Sequence, residues 1–133
     1  MSRRAFLKSL TALVGGLALP AIAHASARQT NAKTLQYSPL AGFQYHHGEM
    51  LWAQLAIGQA LQLVREADNP YDNRAVSVEW QGRKLGYIPR LDNAAVSQLL
   101  DRGERLEAVI VKLMGSHNPW DRVMVEVRWR IPT

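Results

Sequence analysis

Strict alternation of apolar and polar residues, which is typical of strands with one buried face, runs through the second half of the chain. It is clearest from Arg122 to Arg130, where Val123, Val125, Val127 and Trp129 share one face and Arg122, Met124, Glu126, Arg128 and Arg130 share the other. A second alternation puts Val76, Val78 and Trp80 together. With the neighbouring apolar segments, the pattern predicts strands over residues 61–66, 75–80, 84–88, 106–114 and 122–130.

Turn-forming residues separate the predicted strands. Residues 69–73 read Asn-Pro-Tyr-Asp-Asn, a dense turn signal because proline fixes φ while Asn and Asp side chains bond their own backbone. Gln81 and Gly82 make a short hairpin connection. Residues 115–121 are rich in Gly, Ser, Asn and Pro and predict a loop.

A short helix is predicted after Pro89. Asp92 or Asn93 can cap its start, Gly103 suits its end, and its apolar side holds Ala95, Val96, Leu99 and Leu100. Residues 49–59 fit either a second short helix or a broad loop. The prediction is therefore a mainly β domain with one or two short helices, arranged as a small open or closed barrel.

The start of the chain resembles a twin-arginine export signal. Arg3 and Arg4 precede a bulky apolar pair and Lys8. An apolar stretch over 10–22 follows and then Ala-His-Ala at 23–25, the small-x-small form of a signal-peptidase site. The stretch is shorter than the roughly 20 residues that span a bilayer. We expect a signal peptide over 1–25, cleaved after Ala25, with an uncleaved membrane anchor as the alternative.

This leader sets the expected organisation and location. Residues 26–34 are polar and lack periodicity, which predicts a flexible linker, and the folded domain is expected over 35–131. We expect recognition of the leader by the export machinery, release to the periplasm or the extracellular space, and no stable membrane span after cleavage.

Composition narrows the chemistry. The 133 residues include no cysteine, which excludes disulfides, thiolate metal sites and a cysteine nucleophile. The net charge is +5, but three of the sixteen basic residues lie in the leader, so thirteen remain against eleven acidic ones. So small an excess does not by itself indicate a nucleic-acid partner.

Four ordered motifs resemble the HIRAN domain family: AGFQY at 41–45, VRE at 64–66, NPYDNRAVSV at 69–78 and LGYIPR at 85–90. The resemblance implies an OB-like, HIRAN-type β-barrel with helical additions. In relatives attached to helicase-like ATPases this domain captures the 3′-hydroxyl end of single-stranded DNA. This chain has no Gly-x-x-x-x-Gly-Lys-Ser/Thr loop, the nucleotide-binding motif of such ATPases. The resemblance therefore implies that the chain binds single-stranded DNA and does not remodel it.

The resemblance also implies the site residues. Tyr45 falls at the position of an aromatic that contacts a terminal base, and Tyr71 and Asp72 fall in the loop that receives the sugar end. A carboxylate accepts a hydrogen bond from a terminal hydroxyl and repels a terminal phosphate. The full expected set is Tyr45, His46, Tyr71, Asp72, Lys84, Tyr87 and Arg90.

Three positions depart from the DNA-binding relatives. Gln44 replaces a basic residue, His46 replaces a second tyrosine, and Tyr87 replaces a histidine. A lost phosphate contact lowers both affinity and its salt dependence. Compensating charges are available on Lys84, Arg90 and Arg65.

Other interpretations of these residues remain open. The 69–73 segment is also explained as a structural turn in which Asp72 caps its own backbone. His46 and His47 point to opposite faces of an extended chain, so no metal is expected there. Trp80 and Trp129 are in phase with valines and predict core packing, whereas Trp120 lies in a loop as an exposed stacking candidate.

Enzymatic activity is not expected. No Gly-x-Ser-x-Gly elbow or comparable nucleophile setting occurs, so we expect no catalytic residue, and no cofactor. The competing function keeps the HIRAN fold but binds another envelope ligand, such as a glycan or peptide, or a protein partner. A positive groove around Tyr45, Asp72 and Arg90 would favour DNA, and a neutral or acidic one would favour the alternative.

Overall fold

The computed structural model describes residues 31–131. Its six strands are β1 (Ala32–Pro39), β2 (Ala60–Glu66), β3 (Ala75–Trp80), β4 (Arg83–Tyr87), β5 (Arg105–Leu113) and β6 (Val123–Arg130). Its α-helices are α1 (Gly48–Leu51) and α2 (Ala94–Asp101), and four 3₁₀ turns lie at Phe43–Tyr45, Trp52–Gln54, Arg90–Asp92 and Pro119–Asp121. The predicted signal peptide over 1–25 lies outside the described residues.

The strands form one sheet in the order β1-β6-β5-β2-β3-β4. The pairs β2–β3, β2–β5, β3–β4 and β5–β6 are antiparallel. Just after β1, Ala41 forms an antiparallel bridge with Tyr87 of β4, the strand at the far edge of the sheet. The two edges therefore approach each other, and the predicted mainly β, barrel-like class with two short helices is confirmed.

Strand β1 corrects the predicted start of the fold. It begins at Ala32, so residues 32–34, which the sequence assigned to the linker, are strand. The pattern missed it because Lys33, Thr34 and Tyr37 are all exposed and alternation is weak. Strand β1 is stabilised by its neighbour β6. One contact between them is a hydrogen bond that the Thr34 hydroxyl donates to the Glu126 carboxylate. That hydrogen bond, more than the opposing effect of burial, lowers the pKa of Glu126.

Local turn chemistry follows the sequence closely. Between β3 and β4, Gln81 and Gly82 both have positive φ, 51° and 78°, as a two-residue hairpin turn of the mirror-image type requires. Helix α2 ends before Gly103, which has φ 82°. The 49–59 segment, which the sequence left between helix and loop, contains most of α1 and the following 3₁₀ turn.

The core cluster joins side chains of the sheet to Leu40, Phe43, Leu51 and Leu55 of the segment between β1 and β2. Its largest fully buried side chain is Phe43, in the first 3₁₀ turn. Valines of β3 and β6, Val96 of α2 and aliphatic residues of β4 and β5 belong to the same cluster. Burial of Phe43 anchors the 41–46 segment, which forms one wall of the site described next.

Candidate functional site

A cavity of about 530 Å³ opens between three segments of the chain, residues 41–46, 69–75 and 87–90. Their lining side chains include the predicted residues Tyr45, His46, Tyr71, Asp72, Tyr87 and Arg90. The cavity is partly open, and Tyr45 and Tyr71 are 79% and 85% exposed. Two aromatic rings are therefore available to a ligand at its mouth.

The first wall depends on a close approach between the 41–46 segment and β4. Ala41 and Tyr87 exchange two backbone hydrogen bonds of 2.8 and 2.9 Å. A Cβ atom on Gly86 would lie 2.5 Å from the carbonyl oxygen of Ala41, so only glycine allows this pairing. Gly42, with φ 72°, then turns the chain into the 3₁₀ turn that presents Tyr45.

The second wall is shaped by Asn69. Its side-chain oxygen accepts hydrogen bonds from the backbone N–H groups of Tyr71, at 2.8 Å, and Asp72, at 3.2 Å. This is the local Asn turn that competes with regular secondary structure. Its amide nitrogen also donates to Glu66 at 3.1 Å, so the loop is fixed to the end of β2.

Glu66 connects the two walls. Its carboxylate accepts hydrogen bonds from Lys84 Nζ at 2.6 Å and from the Tyr87 hydroxyl at 2.9 Å, and Lys84 Nζ also donates to that hydroxyl at 2.8 Å. Partial burial opposes ionisation of Glu66, but hydrogen bonds from Lys84, Asn69 and Tyr87 outweigh it and lower its pKa. The same contacts outweigh burial at Lys84 and raise its pKa. Tyr87 is thus held in one orientation by a paired charge.

Asp72 is held by neutral donors. One carboxylate oxygen accepts from the backbone N–H of Arg74 at 2.9 Å and the other from the side-chain amide of Asn93 at 2.8 Å. The Arg74 hydrogen bond is the main cause of a lowered pKa, with further help from Asn93 and from the charges of Arg90 and Arg74. Asp72 therefore caps its own turn and also presents an ionised carboxylate to the cavity.

His46 packs edge-on against Tyr87, with ring centroids 5.6 Å apart. Burial, followed by the nearby positive charge of Lys84, lowers its pKa below 6.5. The imidazole is neutral at neutral pH and offers the cavity a polar ring edge in place of a cation. Its neighbour His47 is exposed, and its backbone N–H donates to the Lys84 carbonyl.

Two predicted charge roles need correction. Lys84 does not line the cavity; it lies behind Tyr87 in its ion pair with Glu66. Arg65, expected as a compensating cation, is held by Asp101 at 3.0 Å and by the carbonyls of Asn73 and Ala75. Each of these side chains already has close partners within the described residues.

Arg90 is the cation that lines the cavity. Within residues 31–131 its side chain forms no hydrogen bond or ion pair, and it is exposed. Arg90 and Asp72 carry opposite charges, so the lining is close to neutral. Such a lining suits a ligand end with one anionic and one neutral polar group better than a long phosphate track.

Sequence reasoning missed three positioning residues, Glu66, Asn69 and Asn93. Asp92 or Asn93 was expected to cap α2, and Asn93 does occupy the N-cap position, but its side chain makes no cap hydrogen bond and donates to Asp72 instead. It is fully buried, which a surface cap would not be. The sequence shows that Asn93 is a polar residue near the LGYIPR motif. It does not show that the partner of Asn93 is Asp72, which lies 21 positions away along the chain.

The predictions for two of the tryptophans are confirmed: Trp80 packs on the core, and Trp120 is 51% exposed. Trp129 differs, because it is half-buried outside the core cluster and donates to Glu104 at 3.3 Å. In the part of the chain that the structure describes, no group of three metal-ligating side chains comes together. No helix among residues 31–131 is long and apolar enough to cross a membrane.

Comparison with known proteins places this geometry in context. The HIRAN domain family profile matches residues 33–131. No protein with a curated description matches the chain significantly. A protein from Lactobacillus plantarum of known crystal structure is 29% identical, with a TM-score of 0.65, over 74% of this chain and 94% of its own.

The crystal structure of the HIRAN domain of human HLTF is 19% identical, with a TM-score of 0.58, over 76% of this chain and 80% of its own. An NMR structure of that human domain in its DNA-bound conformation has a TM-score of 0.49 at 19% identity, over 78% of this chain and 83% of its own. The likeness to the crystal structure supports the observed fold.

Proposed function

The chain belongs to the HIRAN domain family, and from that premise we propose that it is a binding module for the 3′-hydroxyl end of single-stranded DNA. The observation that carries the proposal is the convergence of Tyr45, Tyr71, Asp72 and Arg90 on one cavity. The related HIRAN domain of human HLTF has a DNA-bound conformation. The proposal assigns binding without catalysis.

The two exposed tyrosines supply most of the binding energy. Base stacking on an aromatic face contributes about 1–3 kcal/mol per base and tolerates any base. Tyr45 and Tyr71 lie on opposite walls of the cavity, so the terminal base and its neighbour each have a ring to contact. Recognition is therefore expected to depend weakly on sequence.

Asp72 supplies the end selectivity. Its pKa is lowered, mainly by the Arg74 backbone hydrogen bond, so the carboxylate is an acceptor throughout the neutral range. A 3′-hydroxyl donates to it, whereas a 3′-phosphate brings like charges together. Arg90 then contacts a backbone phosphate near the end.

Fluorescence anisotropy tests this function with two labelled oligonucleotides that differ only in a 3′-hydroxyl or a 3′-phosphate. A charge-assisted hydrogen bond contributes about 1.5–3 kcal/mol, so the hydroxyl end is expected to bind about tenfold or more tightly. Equal binding of both ends would remove the assigned role of Asp72. No binding of either at low salt would refute the DNA proposal.

A second candidate is a different ligand in the same cavity, such as a glycan or a peptide. The near-neutral balance of Asp72 and Arg90 favours it, because a polar uncharged ligand needs no excess positive charge. Screening a glycan array and a peptide array with the protein, and with Asp72→Ala as control, tests it. A glycan or peptide that binds the unaltered protein but not Asp72→Ala would support this candidate. A ligand that binds both proteins equally would show that it does not bind through Asp72 in the cavity.

The proposed location is outside the cytoplasm, by the twin-arginine route. Support comes from the sequence alone, in the paired arginines Arg3 and Arg4, the apolar stretch and the Ala-His-Ala site. DNA ends at that location come from the environment or from uptake.

A further inference from the structure

A second hollow, of about 590 Å³, lies against the 69–73 loop. It is lined by that loop together with Arg74 and Arg90. Residues 69–72 and Arg90 also line the cavity already described. The two hollows therefore adjoin each other along the 69–72 segment and Arg90.

The charges of the two sites differ. The cavity combines Asp72 with Arg90, whereas the second hollow adds the exposed Arg74, so its lining carries a net positive charge. Within residues 31–131 the Arg74 side chain forms no hydrogen bond or ion pair, and the same holds for Arg90. Two guanidinium groups are thus available at one hollow.

Within residues 31–131 the Asp72 carboxylate forms no ion pair with either guanidinium group. Both Asp72 oxygens are occupied by neutral donors, the Arg74 backbone N–H and the Asn93 amide. The guanidinium charges are close enough to help lower the pKa of Asp72, after the larger effect of the backbone hydrogen bond. Their own hydrogen-bond donors remain free for a ligand.

We infer that this hollow is a phosphate subsite, in which Arg74 and Arg90 bind the phosphodiester next to the terminal nucleoside of a strand. The inference rests on the proposed function and adds a residue, Arg74, to it. Guanidinium groups match phosphate because their planar donors pair with two oxygens. Arg74 adds a positive charge that Gln44, a neutral residue lining neither hollow, does not provide.

Salt dependence measures the contact. The full-length chain is titrated with a 3′-hydroxyl oligothymidine at several salt concentrations. For single strands the slope of log K against log salt is about −0.7 per neutralised phosphate, so Arg74→Gln is expected to bind more weakly and to reduce the slope by about that amount. Arg83→Gln is the matched control, because Arg83 is exposed on β4 and lines neither site.

A chemically altered ligand provides a test that leaves the protein unchanged. Replacing the phosphodiester next to the terminal nucleoside by an uncharged methylphosphonate is expected to weaken binding to the unaltered chain. The same replacement is expected to have a smaller effect on Arg74→Gln, because one of the two guanidinium contacts to that phosphodiester is already missing and only the Arg90 contact is left to lose.

The outcomes separate the inference from the proposed function. If the unaltered chain prefers the 3′-hydroxyl end but Arg74→Gln behaves as Arg83→Gln does, the subsite is wrong and the end-binding function stands. An equal methylphosphonate penalty in both proteins also overturns the subsite. If the unaltered chain binds no oligonucleotide at low salt, both fail.

Discussion

At the scale of single residues, Asp72 combines a structural role in its own turn with a position in the lining of the cavity. It closes its own turn through the Arg74 backbone N–H and still lines the cavity beside Tyr71. The turn holds the carboxylate in place, and Asn93 fixes its second oxygen. A fixed acceptor loses less conformational entropy when a ligand binds, which favours recognition of a small terminal group.

Replacing Asp72 by Asn is expected to remove the preference for a 3′-hydroxyl over a 3′-phosphate, because the repulsive charge is lost. The 3′-phosphate loses one of its two charges near its second pKa of about 6, so the preference is expected to weaken, without vanishing, as the pH falls from 7 to about 5. It is expected to vanish as the pH falls below 3.8 and through the lowered pKa of Asp72, since only the ionised form repels phosphate. Anisotropy titrations of both proteins at each pH check this. A preference that survives in Asp72→Asn would contradict it.

Replacing Tyr71 by Ala is expected to weaken binding of single-stranded DNA by about 1–3 kcal/mol, the contribution of one stacked base. Tyr37→Ala is the control, because Tyr37 is 61% exposed on β1 and does not line the cavity. The measurement is the dissociation constant of each variant for one oligonucleotide. Equal losses in both variants would point to a general surface effect.

The residue scale also shows what the sequence could predict. Six of the seven expected site residues line one cavity, and each of the six lies within or directly beside a motif of the HIRAN resemblance. Lys84 belongs to the same motif region but pairs with Glu66. That pairing depends on the order of the strands, in which β3 lies between β2 and β4. The spacing of residues along the chain does not reveal this order.

At the scale of elements, the site depends on how closely the chain after β1 approaches β4. The Ala41–Tyr87 bridge joins the two edges of the sheet, and Gly86 leaves the room for it. Strands β3 and β6 were predictable from alternation alone. Strand β1 was not, because its order comes from β6 and from the Thr34–Glu126 hydrogen bond.

Replacing Gly86 by Ala is expected to destabilise the fold by about 1–3 kcal/mol, the usual cost of overpacking. The new Cβ would lie 2.5 Å from the Ala41 carbonyl oxygen and would push the 41–46 wall outwards. Gly115→Ala is the matched control, since its Cβ would meet nothing within 4 Å. Urea unfolding measures both, and equal midpoints would show that the close approach does not matter.

At the scale of the whole molecule, the HIRAN family match covers residues 33–131, and the export leader that we propose precedes it, with paired arginines at Arg3 and Arg4. The twin-arginine route carries folded cargo, so the domain would fold before export. A cysteine-free domain with a continuous core suits that order, because it needs no oxidation to become stable.

Changing both Arg3 and Arg4 to Lys is expected to retain the protein in the cytoplasm, because the export signal requires the pair. Cell fractionation of a bacterial host, with a strain that lacks the twin-arginine translocase as control, measures the distribution. Unchanged fractionation of the variant, or export from the control strain, would contradict the proposed location.

The central claim is that the cavity between residues 41–46, 69–75 and 87–90 receives the 3′-hydroxyl end of a DNA strand. A ¹H–¹⁵N NMR titration of the protein with a short 3′-hydroxyl oligothymidine tests it most directly. We expect the largest amide shifts within those three segments, including Arg74. We expect little change around Trp80 and Leu106, which line a separate hollow. Shifts centred on that separate hollow, or none at all, would contradict the account.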